Sequence, residues 1–257
     1  MEIRVVPARQ GWQWIVDAFV LFRRQPLVWI LLLAAMAVIW IASTVLQPIG
    51  PLAISLLSPI FLAGLMNACR VTDSGREPDI SHLFSAFRTH AAPLVTIGGV
   101  YLVGNIIAVG IVFMIAGGDS INALIAKNRT EADVAMALRG LSLGLAVGTA
   151  VFLPVVMAVW FAPLLVVFHD ITPLEAMKSS FIASWRNLLP FTVYGAAMLL
   201  LWILASIPLM LGFVVLLPVM ACSVYTGYKD IYPQHVTLPA ARSEERRVGK
   251  ECLRLCR

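Results

Sequence analysis

"VFHDITPLEAMKSSFIASWRNLLPF", residues 167–191, lies between two long apolar runs. Within it Thr172 suits a helix N-cap, Pro173 the first helical turn, and Glu175 the third position of a capping box. A helix is therefore predicted to start at Thr172. Along it Leu174, Met177, Phe181 and Trp185 recur every three or four residues and form one apolar face. Lys178 and Arg186 fall on or near the borders of that face, where long basic side chains reach lipid phosphates. A helix of this kind lies in the plane of a membrane interface. Pro190 then turns the chain into the next apolar run. The stretch reads as an elbow, a surface helix that feeds a membrane span.

The elbow occurs three times. "DAFVLFRRQPLVWIL" (17–31) and "SHLFSAFRTHAAPLVTI" (81–97) repeat the pattern of "SSFIASWRNLLPFTVYG" (179–195). Each copy has an apolar stripe and then an aromatic–arginine pair: Phe22–Arg23, Phe87–Arg88 and Trp185–Arg186. A proline follows, at Pro26, Pro93 and Pro190, and a span begins. The return runs end in an acid shortly before a proline: Asp73 and Pro78, Asp170 and Pro173, Asp230 and Pro233. The chain thus reads as three copies of one unit, an interfacial helix followed by a helical hairpin.

Composition agrees. Of 257 residues, 60% are hydrophobic and 13% charged, and the mean hydropathy is +0.88. Soluble domains carry about 25% charged residues, and a run of about 20 apolar residues crosses a bilayer core. Six runs qualify, at about 26–46, 51–69, 93–116, 141–168, 188–208 and 210–228. The fourth is longer than a bilayer is thick and holds Pro154 and Pro163, which predicts a tilt, a kink or a projection. The expected fold is all-α: six transmembrane helices as three hairpins, each preceded by a cytoplasmic interfacial helix, in one domain over residues 1–235. Arg4, Arg9, Arg23, Arg24, Arg70, Arg76, Arg88, Lys178, Arg186 and Lys229 fall on one side, Lys127, Arg129 and Arg139 on the other. By the positive-inside rule both termini are cytoplasmic. The net charge of +5 thus belongs to membrane topology, and no nucleic-acid partner is expected.

No chemistry-bearing motif appears. Intramembrane charges mark ion paths, proton relays and catalytic groups, and the spans hold almost none. There is no metalloprotease helix, phosphate-binding loop, nucleophile elbow or dinucleotide fingerprint. His169 and Asp170 are adjacent and so do not face each other on a helix. Cys69 and Cys222 lie in or at the end of spans, without metal-ligand spacing, and read as buried thiols. No catalytic residue, metal or cofactor is expected.

Two functional readings follow. In one, a non-enzymatic membrane protein organises lipid or a membrane or cytoplasmic protein partner through its elbows, with Phe22, Arg23, Phe87, Arg88, Trp185 and Arg186 making the contact. The elbows also read as architecture alone, and the sequence favours that reading over a contact role. In the other, a small transporter or permease subunit carries a neutral or lipid-like solute along a polar path at Asn67, Asn105 and Ser58. The small residues of the third and fourth spans, among them Gly104, Gly144 and Gly148, predict that these two helices pack closely.

The tail, residues 236–257, departs from this composition. "SEERRVGKEC" (243–252) resembles a stretch found at the ends of unrelated predicted proteins, so residues after about 242 are read as foreign. "IRVVPARQGWQWIVDAFVLFRRQPLVWI" (3–30) and "FAPLLVVFHDITPLEAMKSSFIASWRNLLPF" (161–191) resemble an uncharacterised family of proteobacterial six-span inner-membrane proteins. More distantly, the elbow-plus-hairpin units resemble the membrane domain of some glycerophosphodiester phosphodiesterases. The resemblance implies a helical protein of the bacterial inner membrane. It implies no phosphodiesterase chemistry, because the catalytic domain of those enzymes has no counterpart here.

Overall fold

A computed structural model describes residues 2–125 and 130–233, and the tail lies outside them. Among the described residues all regular secondary structure is helical: α1 (Gln10–Arg24), α2 (Pro26–Val45), α3 (Ile49–Asp73), a 3-10 turn (Ile80–Phe84), α4 (Ser85–Thr89), α5 (Ala91–Ile125), α6 (Glu131–Val159), α7 (Ala162–His169), α8 (Pro173–Arg186), α9 (Leu188–Ser206) and α10 (Phe213–Ile231). Six segments are long and apolar enough to span a membrane: Pro26–Val45, Ile49–Asp73, Ala91–Gly117, Val134–His169, Leu188–Ser206 and Phe213–Ile231. Their outward side chains, among them Val38, Trp40, Leu199 and Trp202, are large, apolar and exposed. Only hydrocarbon can cover such a belt without a large hydration cost. The protein is a multi-pass membrane protein.

Boundaries differ from the sequence reading where turn chemistry decides them. The last two spans are joined by residues 207–212, with Leu209 and Met210 at positive φ, and the sixth therefore begins at Phe213. α3 runs on to Asp73, four residues past Cys69. α5 changes direction at Gly117, whose φ of 71° suits glycine.

The fourth span breaks. α6 stops at Val159 and α7 starts at Ala162. Pro163 has no N–H to give the carbonyl of Val159, and its ring crowds that carbonyl. One turn earlier, the Ser180 hydroxyl of α8 enters the helical ladder. It accepts from the Phe161 N–H at 3.0 Å and donates to the Met157 carbonyl at 2.8 Å. Those two groups would otherwise bond each other. Ser184 also donates to the Met157 carbonyl, at 3.3 Å. The kink has an inserted side chain as its cause.

The short helices pack out of chain order. α1 precedes the α2–α3 hairpin but packs chiefly on α9 and α10. The 3-10 turn and α4 precede α5 and α6 but pack chiefly on α3. α8 precedes α9 and α10 but packs chiefly on α6 and α7. Each short helix therefore lies on the hairpin before it in cyclic order, and α1 closes the ring. Between spans, α5 and α6 form the most extensive contact. A Cβ on Gly148 would lie 2.7 Å from Val112 and 3.0 Å from the Ala108 carbonyl. The small residues there set how closely the third and fourth spans approach.

Candidate functional site

α1, α4 and α8 gather at one end of the bundle, beside the C-terminal ends of α3, α7 and α10. At α1, the close approach is fixed by Gly11, where a Cβ would lie 2.1 Å from the Pro190 carbonyl oxygen. Trp14 is buried at 2% exposure. Its ring meets Phe191 at 5.4 Å and Tyr194 at 6.1 Å, and its Nε1 donates to Asp230 at 3.0 Å. At α8, Asn187 ends the helix and is fully buried. Its Oδ1 accepts from the Val6 N–H at 2.9 Å and its Nδ2 donates to the Arg4 carbonyl at 3.1 Å. The third elbow thus holds the N-terminal strand of chain that leads into the first.

The three aromatic–arginine pairs do not occupy equivalent environments. Phe22 is buried, Phe87 is half-buried and Trp185 is 61% exposed. Arg23, Arg88 and Arg186 are all exposed. The Arg23 guanidinium lies 5.8 Å from the centroid of the Phe19 ring, within cation–π range. Phe87 packs edge-on to Phe61 at 5.2 Å. Trp185 stacks on Phe181, with centroids 6.2 Å apart and planes at 18°.

α8 divides into faces. Ala176, Ser180, Ala183 and Ser184 are buried against the bundle. Leu174, Ile182 and Trp185 are exposed. At its start, Thr172 Oγ1 accepts from the Glu175 N–H at 3.4 Å and donates to the Glu175 carboxylate at 3.0 Å. The cap forms as predicted. The reciprocal half of the box does not, because the Glu175 side chain takes the threonine hydroxyl instead. The second elbow has the complete box: Ser81 N–H donates to Asp79 at 2.8 Å, and Asp79 N–H donates to His82 Nδ1 at 3.0 Å. The Ser81 N–H stabilises the carboxylate and holds Asp79 below the usual carboxylate range.

A polar cluster joins the helix ends, and sequence reasoning found only half of it. Asp73 and Asp230 were visible as acids that close their hairpins, but their partners come from distant segments. Lys229 Nζ lies 2.6 Å from Asp73, and the Tyr225 hydroxyl donates to the same carboxylate at 3.2 Å. Arg24 donates to the Thr72 carbonyl at 3.1 Å, placing a cation at the negative end of the α3 dipole. Arg4 lies 3.9 Å from Asp230. Arg24, Asp73, Lys229 and Asp230 line a cavity of about 400 Å³ with Gln10, Trp14 and Asp17. The third acid, Asp170, caps α7 in the left-handed conformation (φ 53°) and pairs with His90 at 3.2 Å. His169, its chain neighbour, is bonded instead to the Tyr228 hydroxyl. Burial raises the Tyr232 phenol, just past α10, to about 12. Its hydroxyl is 3.1 Å from that of Ser179.

Of the polar-path residues, Asn67 donates to Ser85 at 2.9 Å and ties α3 to α4. Ser58 donates to the Ser55 carbonyl of its own helix at 2.9 Å. Asn105 is half-buried on α5. Among the described residues no hydrogen bond joins any two of the three, and no group of three His, Cys, Asp or Glu residues is placed to hold a metal ion.

The chain is similar to a probable inner membrane protein of Burkholderia thailandensis, 29% identical over 230 residues that cover 88% of this chain and 84% of the relative. No family model matches it, nor does any solved structure.

Proposed function

We propose that this is a non-enzymatic multi-pass protein of the bacterial inner membrane, with both termini cytoplasmic, that organises lipid through its three elbows. A partner protein recruited at the same surface is the alternative client. The observation that carries the reading is the packing of α8. Its small residues face the bundle, and its bulky apolar side chains, Leu174, Ile182 and Trp185, are exposed. In water such a face is costly. At headgroup depth it is favourable, because Trp and apolar residues settle there. Arg186 closes the helix, and Arg23 and Arg88 are exposed just before the other two ascending spans. Guanidinium groups at that depth suit phosphate. The relative named a probable inner membrane protein supports the location.

The test is to replace Arg23, Arg88 and Arg186 together with Gln and weigh the gently extracted protein by native mass spectrometry. The expected result is loss of retained anionic lipid with the fold intact. Unchanged lipid retention sinks this reading. A permease for a neutral or lipid-like solute is the second reading. It draws on Asn105, a half-buried amide within the third span, and requires Asn105→Leu to abolish uptake.

A further inference from the structure

Two of the three elbows overhang an apolar groove. Met177, Phe181 and Ile182 of α8 face Val100 of α5 and Pro154, Val155 and Ala158 of α6 across a groove of about 500 Å³. Trp12, Ile15 and Phe19 of α1 face Leu201 of α9 and Val215 and Val219 of α10 across another, of about 450 Å³. Under the second elbow the rings of Phe84 and Phe87 meet Phe61 of α3 at 6.2 and 5.2 Å.

We infer that the grooves under α1 and α8 are two seats for membrane phospholipid, each taking one acyl chain with the phosphate held at the rim. The inference rests on reading these helices as interfacial and names the ligand of that surface. Each groove is walled on one side by membrane spans, so its surrounding medium is hydrocarbon. The walls are apolar, which leaves a polar solute without partners and leaves an alkyl chain none to lose. A volume of this size suits one small ligand; an amphipathic partner helix needs a longer track with several successive anchors.

Each groove also has a cation where a phosphate would lie. Lys178 lines the α8 groove and is exposed. Arg23 lies against Phe19, which is a wall of the α1 groove. One cation complements one phosphate. The arrangement therefore recurs at two elbows built from different residues.

The test uses a phospholipid with a photoreactive group midway along one acyl chain, incorporated into vesicles with the full-length protein. Cross-linked peptides are mapped by mass spectrometry. The expected labels fall in α5, α6 and α8 for one seat, and in α1, α9 and α10 for the other. Ala158→Phe fills the first groove and should abolish its labels while leaving the second set. Val215→Phe should do the converse. Each variant should also retain one phospholipid fewer in native mass spectrometry. Ala158→Leu, a smaller plug, should give an intermediate loss and carries the test if the phenylalanine variant does not fold. Labels spread evenly over exposed faces such as that of Val38, Trp40 and Ile41 on α2, or labels unchanged by the plugs, overturn the inference. The arginine triple variant separates the two readings, because it leaves Lys178 and the α8 groove intact. Labels lost to the Ala158→Phe plug, with the α8-seat labels retained in the triple variant, support the seats and defeat the arginine contact at that elbow; the α1-seat labels should weaken in the triple variant, because Arg23 is the cation of that seat. The opposite pattern defeats the seats alone.

Discussion

α1 and α8 do the same work in the chain and bury opposite things. Both are short helices with an aromatic–arginine pair near the end, and both are followed by a span. α1 buries bulky residues, Trp14, Ile15, Leu21 and Phe22, while Trp12, Phe19 and Val20 stay exposed. α8 turns its bulky residues outward and buries two alanines and two serines. The difference lies in what each helix meets. α1 meets Phe191, Tyr194 and the α10 backbone at Gly227, a surface with room for an indole. α8 meets a broken helix with a carbonyl and an N–H to satisfy, and only a small residue with a hydroxyl can approach and bond both. A shared pattern thus places a short helix before an apolar span, while the facing surface selects which side of it is buried.

The contrast between the two tryptophans is the quickest way to break that account. Trp14→Ala should lower stability by about 3–5 kcal/mol, the cost of deleting a large buried side chain. Trp185→Ala should stay within about 0.5 kcal/mol, as an exposed position does. Denaturation of both variants in the same detergent checks this, and equal losses would erase the distinction between the helices.

Ser180→Ala probes the other side of the comparison. It leaves the Phe161 N–H without its acceptor, and Ser184 remains to serve only the Met157 carbonyl. The expected cost is about 1–3 kcal/mol, with hydrogen exchange accelerated at Phe161. Ser180→Thr keeps the hydroxyl and should recover part of the loss. Protection at Phe161 that survives Ser180→Ala would mean that the kink does not depend on α8.

The smallest effect belongs to the second elbow, where an exposed cap takes the place of a buried face. Asp79 is held below the ordinary carboxylate range by the Ser81 N–H. A carboxyl depressed in the folded state contributes stability above its unfolded value, and that contribution is lost as pH falls through the folded value. Limited proteolysis between Ser74 and His90 should therefore be slow at neutral pH and speed up in acid. In Asp79→Ala it should be fast throughout. A pH dependence that persists in the variant would assign the effect to another group.

Much of this was legible in the sequence. Apolar runs of bilayer length, set apart by polar segments, predict helical spans, because a backbone in lipid must satisfy its own hydrogen bonds. The cap at Thr172 was legible because Ser, Thr, Pro and Glu act locally at a helix start. That the fourth span would tilt, kink or project was legible in its length and its two prolines, Pro154 and Pro163, and the break falls beside the second of them. The glycines of the third and fourth spans predicted a close approach that the packing of Gly148 on Val112 and Ala108 bears out.

Other features needed the tertiary structure. The partners of Asp73 and Asp230 come from more than 150 residues away in the chain, and nothing in local periodicity encodes such pairings. The cyclic packing, in which each elbow lies on the hairpin before it, depends on surfaces that exist only once the spans have assembled. The aromatic–arginine repeat itself shows the limit. Its spacing determined three short helical segments that each end before an apolar span, because periodicity and charge act within a few residues. Whether each aromatic is buried, half-buried or exposed was decided by the volume left on the facing helix, which close packing fixes only in the folded bundle.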